Sequence, residues 1–262
     1  MSGPDKTGAR KIRWRGFVLP IALVLLAEVG AQVSHLQSDS LAAPSAIFVA
    51  LWRQLVDGTI LLATVQTLTA ALAGLAIGFS LGMILGILFA VLPVFDRMFE
   101  VSVEAIRPVP PIALMPIGLL VFGFGYRLEY SIVAFATLWP ALILTRSAVA
   151  GIEPKLNDVA RVLRFGLIDR ITKIILPAAL PRIFVALRLG VGISLIVAVT
   201  VEISINTLGL GYAIMNAQQS LRPDDALALL VWIGIVGWAL GAILLMIQRT
   251  LFGPAALVEG TA

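Results

Sequence analysis

The chain has 262 residues, 60% of them hydrophobic and only 13% charged, with a mean hydropathy of +1.02 and a formal net charge of +4. An ordinary soluble domain is nearer half apolar and a quarter charged, so the solvent for most of this chain must be lipid. With no Cys and a single His, His35, the sequence excludes disulfides, Cys-based zinc sites, thiol nucleophiles and multi-His metal centres.

In chain order, Phe17–Val33 is apolar except for Glu28 and follows Lys6, Arg10, Lys11, Arg13 and Arg15. A secretory leader has the same basic start, but no clear small-x-small cleavage site follows, which favours an uncleaved membrane anchor. Pro44–Asp57 places Ile47, Leu51, Leu55 and Trp52 on one helical face and reads as an amphipathic helix on the outer surface. Gly58–Phe95 carries no charge and is expected to be one long tilted helix. Within it Gly74, Gly78, Gly82 and Gly86 recur every fourth residue on one face. Lipid gives helices no hydrophobic reason to associate, so a stripe of small residues that admits close backbone approach marks a helix-packing face.

Further spans are expected at about Pro108–Phe124, Tyr130–Ala148, Ile183–Ile203 and Ala226–Ile247. Six helices put both termini on one side, and all but three of the 19 Lys and Arg fall on that side, the exceptions being Arg53, Arg127 and Arg222. The positive-inside rule then makes both termini cytoplasmic. The organisation is a cytoplasmic basic N-terminus (1–16), an all-α transmembrane domain (17–250) and a cytoplasmic tail (251–262). The longest cytoplasmic segment, Ala150–Arg182, is rich in Lys and Arg and large enough to meet a partner. Basic residues dealt out by alternate loops in this way do not make a nucleic-acid patch.

Catalytic signatures are weak. Gly78–Gly82 reads GFSLG, the G-x-S-x-G pattern of a nucleophile elbow, but the pattern needs a strand-to-helix turn and a His partner, so Ser80 is read as a packing residue. No Gly-Lys dipeptide occurs, which excludes a Walker A loop, and no enzyme activity is expected of this chain. Glu28 and Glu202 are the acidic residues in or at the ends of spans. An intramembrane carboxylate is a functional candidate by default, with a structural carboxylate hydrogen-bonded to a neighbouring helix as the alternative.

Three stretches carry a family resemblance. Arg107–Tyr126, RPVPPIALMPIGLLVFGFGY, resembles the RP-x-PP-x-A-x-x-P…FG-x-G signature of permease subunits in binding-protein-dependent ABC importers of the nitrate, sulfonate and taurine type. LPAALP at Leu176–Pro181, followed by LRLGVGISL, resembles the end of that family's cytoplasmic EAA loop and the helix after it. Val201–Glu202 with TLGLGY at Thr207–Tyr212 is similar to its VAE…GLGY element. Order and spacing agree from about Ala42 to Arg249.

The resemblance implies a type I importer permease fold with about six spans, alternating access as mechanism, and residence in a prokaryotic inner membrane. It also implies its partners: two ABC ATPase subunits holding ATP and Mg, a second permease chain as homodimer or heterodimer, and a periplasmic or lipid-anchored substrate-binding protein. No cofactor or metal is expected on this chain. The prolines at Pro108, Pro110, Pro111 and Pro116 forbid a continuous helix, and broken backbone at membrane depth is tolerated only against protein or a water-filled path. Arg107, these four prolines and Glu202 are therefore the candidates for the translocation path.

The coupling loop, two short cytoplasmic helices that dock on the ATPase, falls on Asp158, Val159, Ala160, Arg161, Arg164, Phe165, Gly166 and Leu167. Here the sequence departs from the family: Asp158-Val159-Ala160 stands for Glu-Ala-Ala, and Arg164 stands at the loop's glycine. Either Arg164 occupies the turn or the turn shifts to Gly166. A diverged half of a heterodimer and a co-adapted homodimer both fit, and a non-transporting scaffold subunit is the alternative of a different class, with an ion-coupled carrier behind it.

Overall fold

The computed structural model describes residues 15–33 and 41–253, so Lys6, Arg10, Lys11, Arg13, His35 and the tail from 254 lie outside the described residues. The described residues form helices α1 (Arg15–Val33), α2 (Pro44–Val56), α3 (Thr59–Val91), α4 (Pro93–Ile106), α5 (Met115–Phe122) and α6 (Tyr126–Ala150). There follow α7 (Pro154–Val162), α8 (Leu167–Arg170), α9 (Leu176–Ser204), α10 (Gly209–Gln219) and α11 (Pro223–Phe252), and no strand occurs among them.

Four of these rods are long and apolar enough to cross a bilayer: α3, α6, α11 and the continuous helix Leu167–Ser204. The 33 residues of α3 reach about 50 Å at 1.5 Å per residue, more than a bilayer core needs. Pro93 ends it, since its ring clashes with the preceding turn and it has no N–H to give. The span expected at Pro108–Phe124 is corrected: α4 and the segment Pro111–Phe122 form a pair bent by 85°. Pro108, Pro110 and Pro111 cluster at the break and a 3-10 turn, Pro111–Leu114, leads into α5. Counting the pair as one crossing makes five, and six is reached only with α1, whose apolar stretch Val18–Val33 is short.

The glycine stripe explains the centre of the bundle. A Cβ on Gly74 would stand 2.6 Å from Val133 Cβ, and one on Gly86 2.6 Å from the Leu142 carbonyl. At Gly78 and Gly82 it would strike the Ala134 and Leu138 carbonyls. All four glycines thus lie directly on the α6 backbone, and dispersion across this seam replaces the hydrophobic drive that lipid does not supply. Below it Ala70, Ala71, Leu128, Val133, Ala198 and Val201 make a core shared by α3, α6 and α9. The α11 helix sits outside this core, and its Leu229 packs on Ile60, Ala63, Leu210 and Ile214 of α3 and α10.

In α2, Leu51 and Leu55 do pack inward, against that second cluster, whereas Trp52, expected on the same face, is 64% exposed. The helix is fastened to α11 by Arg53 and Gln54, which donate to Asp225 Oδ1 at 2.6 and 3.0 Å. At the opposite end Arg146 on α6 pairs with Asp96 on α4 at 2.6 Å, anchoring the start of the bent pair to the central bundle.

Candidate functional site

Glu202 lies near the end of α9 and is 1% exposed. Its Oε2 accepts from Thr67 Oγ1 at 3.0 Å and from the Gly211 N–H at 2.8 Å. Thr67 Oγ1 in turn accepts the Leu210 N–H at 2.8 Å, and Gln66 Oε1 the Gly209 N–H at 2.9 Å. The first three N–H groups of α10 therefore find their acceptors on α3 and α9. A helix start inside protein has no water for those donors, and an anion at its positive end is doubly favoured, by hydrogen bonds and by the helix dipole.

The same geometry accounts for TLGLGY. Gly209 has φ +84°, and a Cβ there would collide with the Glu202 carboxylate. A Cβ on Gly211 would strike the Val199 carbonyl and stand 2.7 Å from Glu202 Cβ. Both glycines exist so that the chain can turn tightly enough to lay its N–H groups on Glu202.

A second buried carboxylate adjoins it. Glu129, placed just before a span by the sequence reading, is fully buried in the first turn of α6 and accepts from Asn206 Nδ2. Asn206 Oδ1 accepts the Gly125 N–H at 2.9 Å. Glu129 and Glu202 each keep one oxygen without a hydrogen-bond partner. Gln66, Thr67, Glu129 and Asn206 are the members of this knot that sequence reasoning missed. For Glu129 a signal was available: it follows the FGFG turn, where a helix must begin.

The path candidates are not gathered around Glu202. Arg107, Pro108, Pro110 and Pro116 are exposed at the break between α4 and α5, and Pro111 is half-buried. Arg107 lines a cavity of about 110 Å³ with Asp96, Glu100, Glu104 and Arg146. The prolines and the buried carboxylate are thus two places in the fold. Glu28, the other acidic candidate of the sequence reading, accepts from the Ser45 N–H at 2.9 Å and from Ser45 Oγ at 2.8 Å, tying α1 to the start of α2.

The loop candidates form a helix, a turn and a second helix. Arg164 has φ +52°, the left-handed region, while Gly166 is extended, so the turn has not shifted register. The Arg164 N–H bonds the Arg161 carbonyl at 3.1 Å and the Phe165 N–H the Ala160 carbonyl at 3.0 Å. Those two bonds are the Schellman closure that normally carries glycine at this position, and Ala160 is buried. Asp158 pairs with Arg161 at 3.2 Å, and the Lys173 ammonium sits 5.2 Å from the Phe165 ring centre.

From the turn the chain runs through α8 and a π-helical stretch, Ile171–Ile175, into α9 without interruption. The second short helix is the end of the α9 rod. Around the turn Val162 is 81% and Ile168 76% exposed, beside exposed Val159, Leu163 and Leu167. This apolar crown stands at one end of the rods, and Arg182 Nη1, donating to the Gly151 carbonyl at 3.0 Å, holds the loop's root against α9.

This architecture defines a permease class. Residues 78–257 match the family described as binding-protein-dependent transport system inner membrane component, and the chain belongs to that family. A putative aliphatic sulfonates transport permease protein of Bacillus subtilis is 28% identical over 94% of this chain and 90% of its own length. A nitrate import permease protein of Leptolyngbya laminosa is 31% identical over 67% of this chain and 60% of its own. The crystal structure of an amino acid ABC transporter with histidines aligns at a TM-score of 0.62 and 18% identity over 76% of this chain and 97% of that one. The chain is an ABC-importer permease with the fold of that class.

Proposed function

We propose that this permease carries a small oxyanion such as a sulfonate or nitrate, delivered by a separate binding protein and driven by ATP that partner subunits hydrolyse with Mg. The observation that carries the coupling half of this reading is the rod Leu167–Ser204, 38 residues without a break. At one end is the exposed apolar turn around Arg164, at the other the knot around Glu202. A push on the turn is therefore a push on α9 along some 55 Å of helix. Apolar side chains this exposed outside a lipid phase mark a surface awaiting a protein, and the cleft of an ATPase subunit is the partner the family provides.

Two such chains enclose the path, and ATP-driven closure of the ATPase pair tilts their α9 rods to alternate access. The prolines at the α4–α5 break, exposed on the surface of the single chain, line that path or its seam. Both termini are cytoplasmic and the membrane is the inner one. The scaffold alternative rested on Arg164; because Arg164 takes the conformation a glycine would take, the docking turn keeps its shape and transport is favoured.

The test is to tag the chain, extract it in mild detergent with its native neighbours, and determine what co-purifies and in what ratio. A P-loop ATPase at one copy per permease is the expected result, and a second, different permease would define a heterodimer. Recovery of this chain alone, under conditions that preserve other membrane complexes, would refute the importer assembly.

A further inference from the structure

An arginine at membrane depth is costly unless water, a carboxylate or backbone carbonyls receive it. Arg188 lies on α9 beyond Arg182, the residue that holds the loop's root, and about 9 Å further along the rod. It is exposed, and among the described residues no hydrogen bond or ion pair engages it. The charge count grouped it with the cytoplasmic basic residues, although it falls inside the span expected at Ile183–Ile203.

The face around it is unlike a lipid-facing one. Every fourth residue from Arg188 gives Gly192, Ile196, Thr200 and Ser204, a stripe largely uncovered in the single chain. A Cβ on Gly192 would meet nothing within 4 Å, and Ile196 is 68% exposed. The Thr200 and Ser204 hydroxyls donate back to the Ile196 and Thr200 carbonyls. The exposed side of α11 is by contrast dominated by large apolar residues, among them Leu230, Ile235, Trp238 and Met246. Lipid suits that second surface; a cation, a glycine and two hydroxyls along one line suit water. Thr200 and Ser204 stand two residues to either side of Glu202, hence on the opposite face of the helix. The turn Pro111–Leu114 touches α9, and Leu114 packs on the same buried core as Ile193, the neighbour of Gly192. The uncovered face therefore borders the proline break.

We propose that this face of α9 lines the translocation path and that Arg188 is its charge filter, the residue that admits anions and holds back cations. The inference rests on the importer reading and deepens it: the path runs on the side of α9 away from the Glu202 knot, and one residue sets its selectivity. Side chains on a helix lean toward its N-terminus, so Arg188 reaches toward the loop end of the rod and meets the solute there.

Because the chain has no Cys, single cysteines report where water reaches, since the thiolate is the reacting form. The experiment uses the permease with its co-purified subunits in lipid nanodiscs, nucleotide-free and vanadate-trapped, carrying Gly192→Cys or Ile196→Cys. Modification of this chain by anionic sulfonatoethyl and by cationic trimethylammonioethyl methanethiosulfonate is followed by intact mass. Both cysteines should react in at least one state, the anionic reagent faster, while Ile235→Cys on α11 stays inert. The anionic-to-cationic rate ratio should be larger at Gly192, one turn from Arg188, than at Ile196, two turns away. Arg188→Gln should lower the ratio at Gly192→Cys about tenfold, and Arg188→Lys should keep it. Cysteines inert in both states would set this face against lipid or a second chain and overturn the path. A ratio equal at the two positions, or unchanged by Arg188→Gln, would overturn the filter. Failure of the importer reading is seen separately, as a permease that recovers no ATPase; an ATP-hydrolysing complex with inert cysteines refutes this inference alone.

Discussion

Arg164 shows how little of a residue's role its chemical type reveals. A left-handed backbone costs an L-residue about 1–2 kcal/mol, and here an exposed Arg bears it because the Schellman bonds close the turn anyway. Arg164→Gly should relieve about 1 kcal/mol of that strain, slow amide exchange across residues 160–175, and leave substrate-stimulated ATPase intact or raised. Complete loss of that stimulation would make the guanidinium itself the contact. Glu202 was legible as a candidate because a carboxylate after a long apolar run is conspicuous, but its use was not. With two donors on one oxygen, Glu202→Gln keeps an acceptor for Gly211 and Thr67 and should assemble and transport. Glu202→Leu strands two buried donors, at about 1–3 kcal/mol each, and should fail to accumulate as folded permease. Transport lost in the Gln variant, with assembly retained, would assign the charge a direct part in the path. Glu129 follows a legible helix-start signal, but its hydrogen-bond partner, Asn206, is 77 residues away and could not be read from the sequence.

At the scale of elements, the four-residue glycine repeat announced a packing face without naming its partner. Placing α6 on that face required tertiary structure, since any helix with a smooth surface would satisfy the pattern. Gly78→Val should force α3 and α6 apart, at roughly 1–3 kcal/mol for overpacking, and lower the melting temperature of the detergent-solubilised complex. Gly192→Ala, where nothing lies within 4 Å of the added carbon, should leave the melt unchanged. Equal melts for the two would mean that the stripe is not the seam. The proline cluster was likewise readable as a break, because a missing N–H and a fixed φ act locally. The 85° angle was not, because it is set by what α4 and α5 rest upon: Arg146 holds Asp96 on α4, and Leu128 lies against Gly118 on α5.

At the scale of the whole molecule, the distribution of Lys and Arg implies an orientation that the absence of Cys makes easy to test. Single-cysteine variants start from a blank background. Ser220→Cys, exposed beyond α10, should react with a membrane-impermeant maleimide in intact spheroplasts, and Asp158→Cys on the loop only after lysis. The reverse pattern would invert the topology and put the apolar turn on the side where no ATP is available.

Sequence alone determined the solvent, the helical class, most of the long spans and the motifs that mark the family, because hydropathy, helix-breaking and glycine's missing side chain are properties of short segments. It also indicated that Arg164 occupies a special place. Only the tertiary structure decided that α10 starts on the side chains of α3 and α9, that α8 and α9 are one rod, and that Arg53 and Arg222 converge on Asp225. Those facts are meetings between residues far apart in the chain, and in lipid such meetings are chosen by close packing and by the need of every buried polar group for a partner, neither of which leaves a periodic trace in sequence.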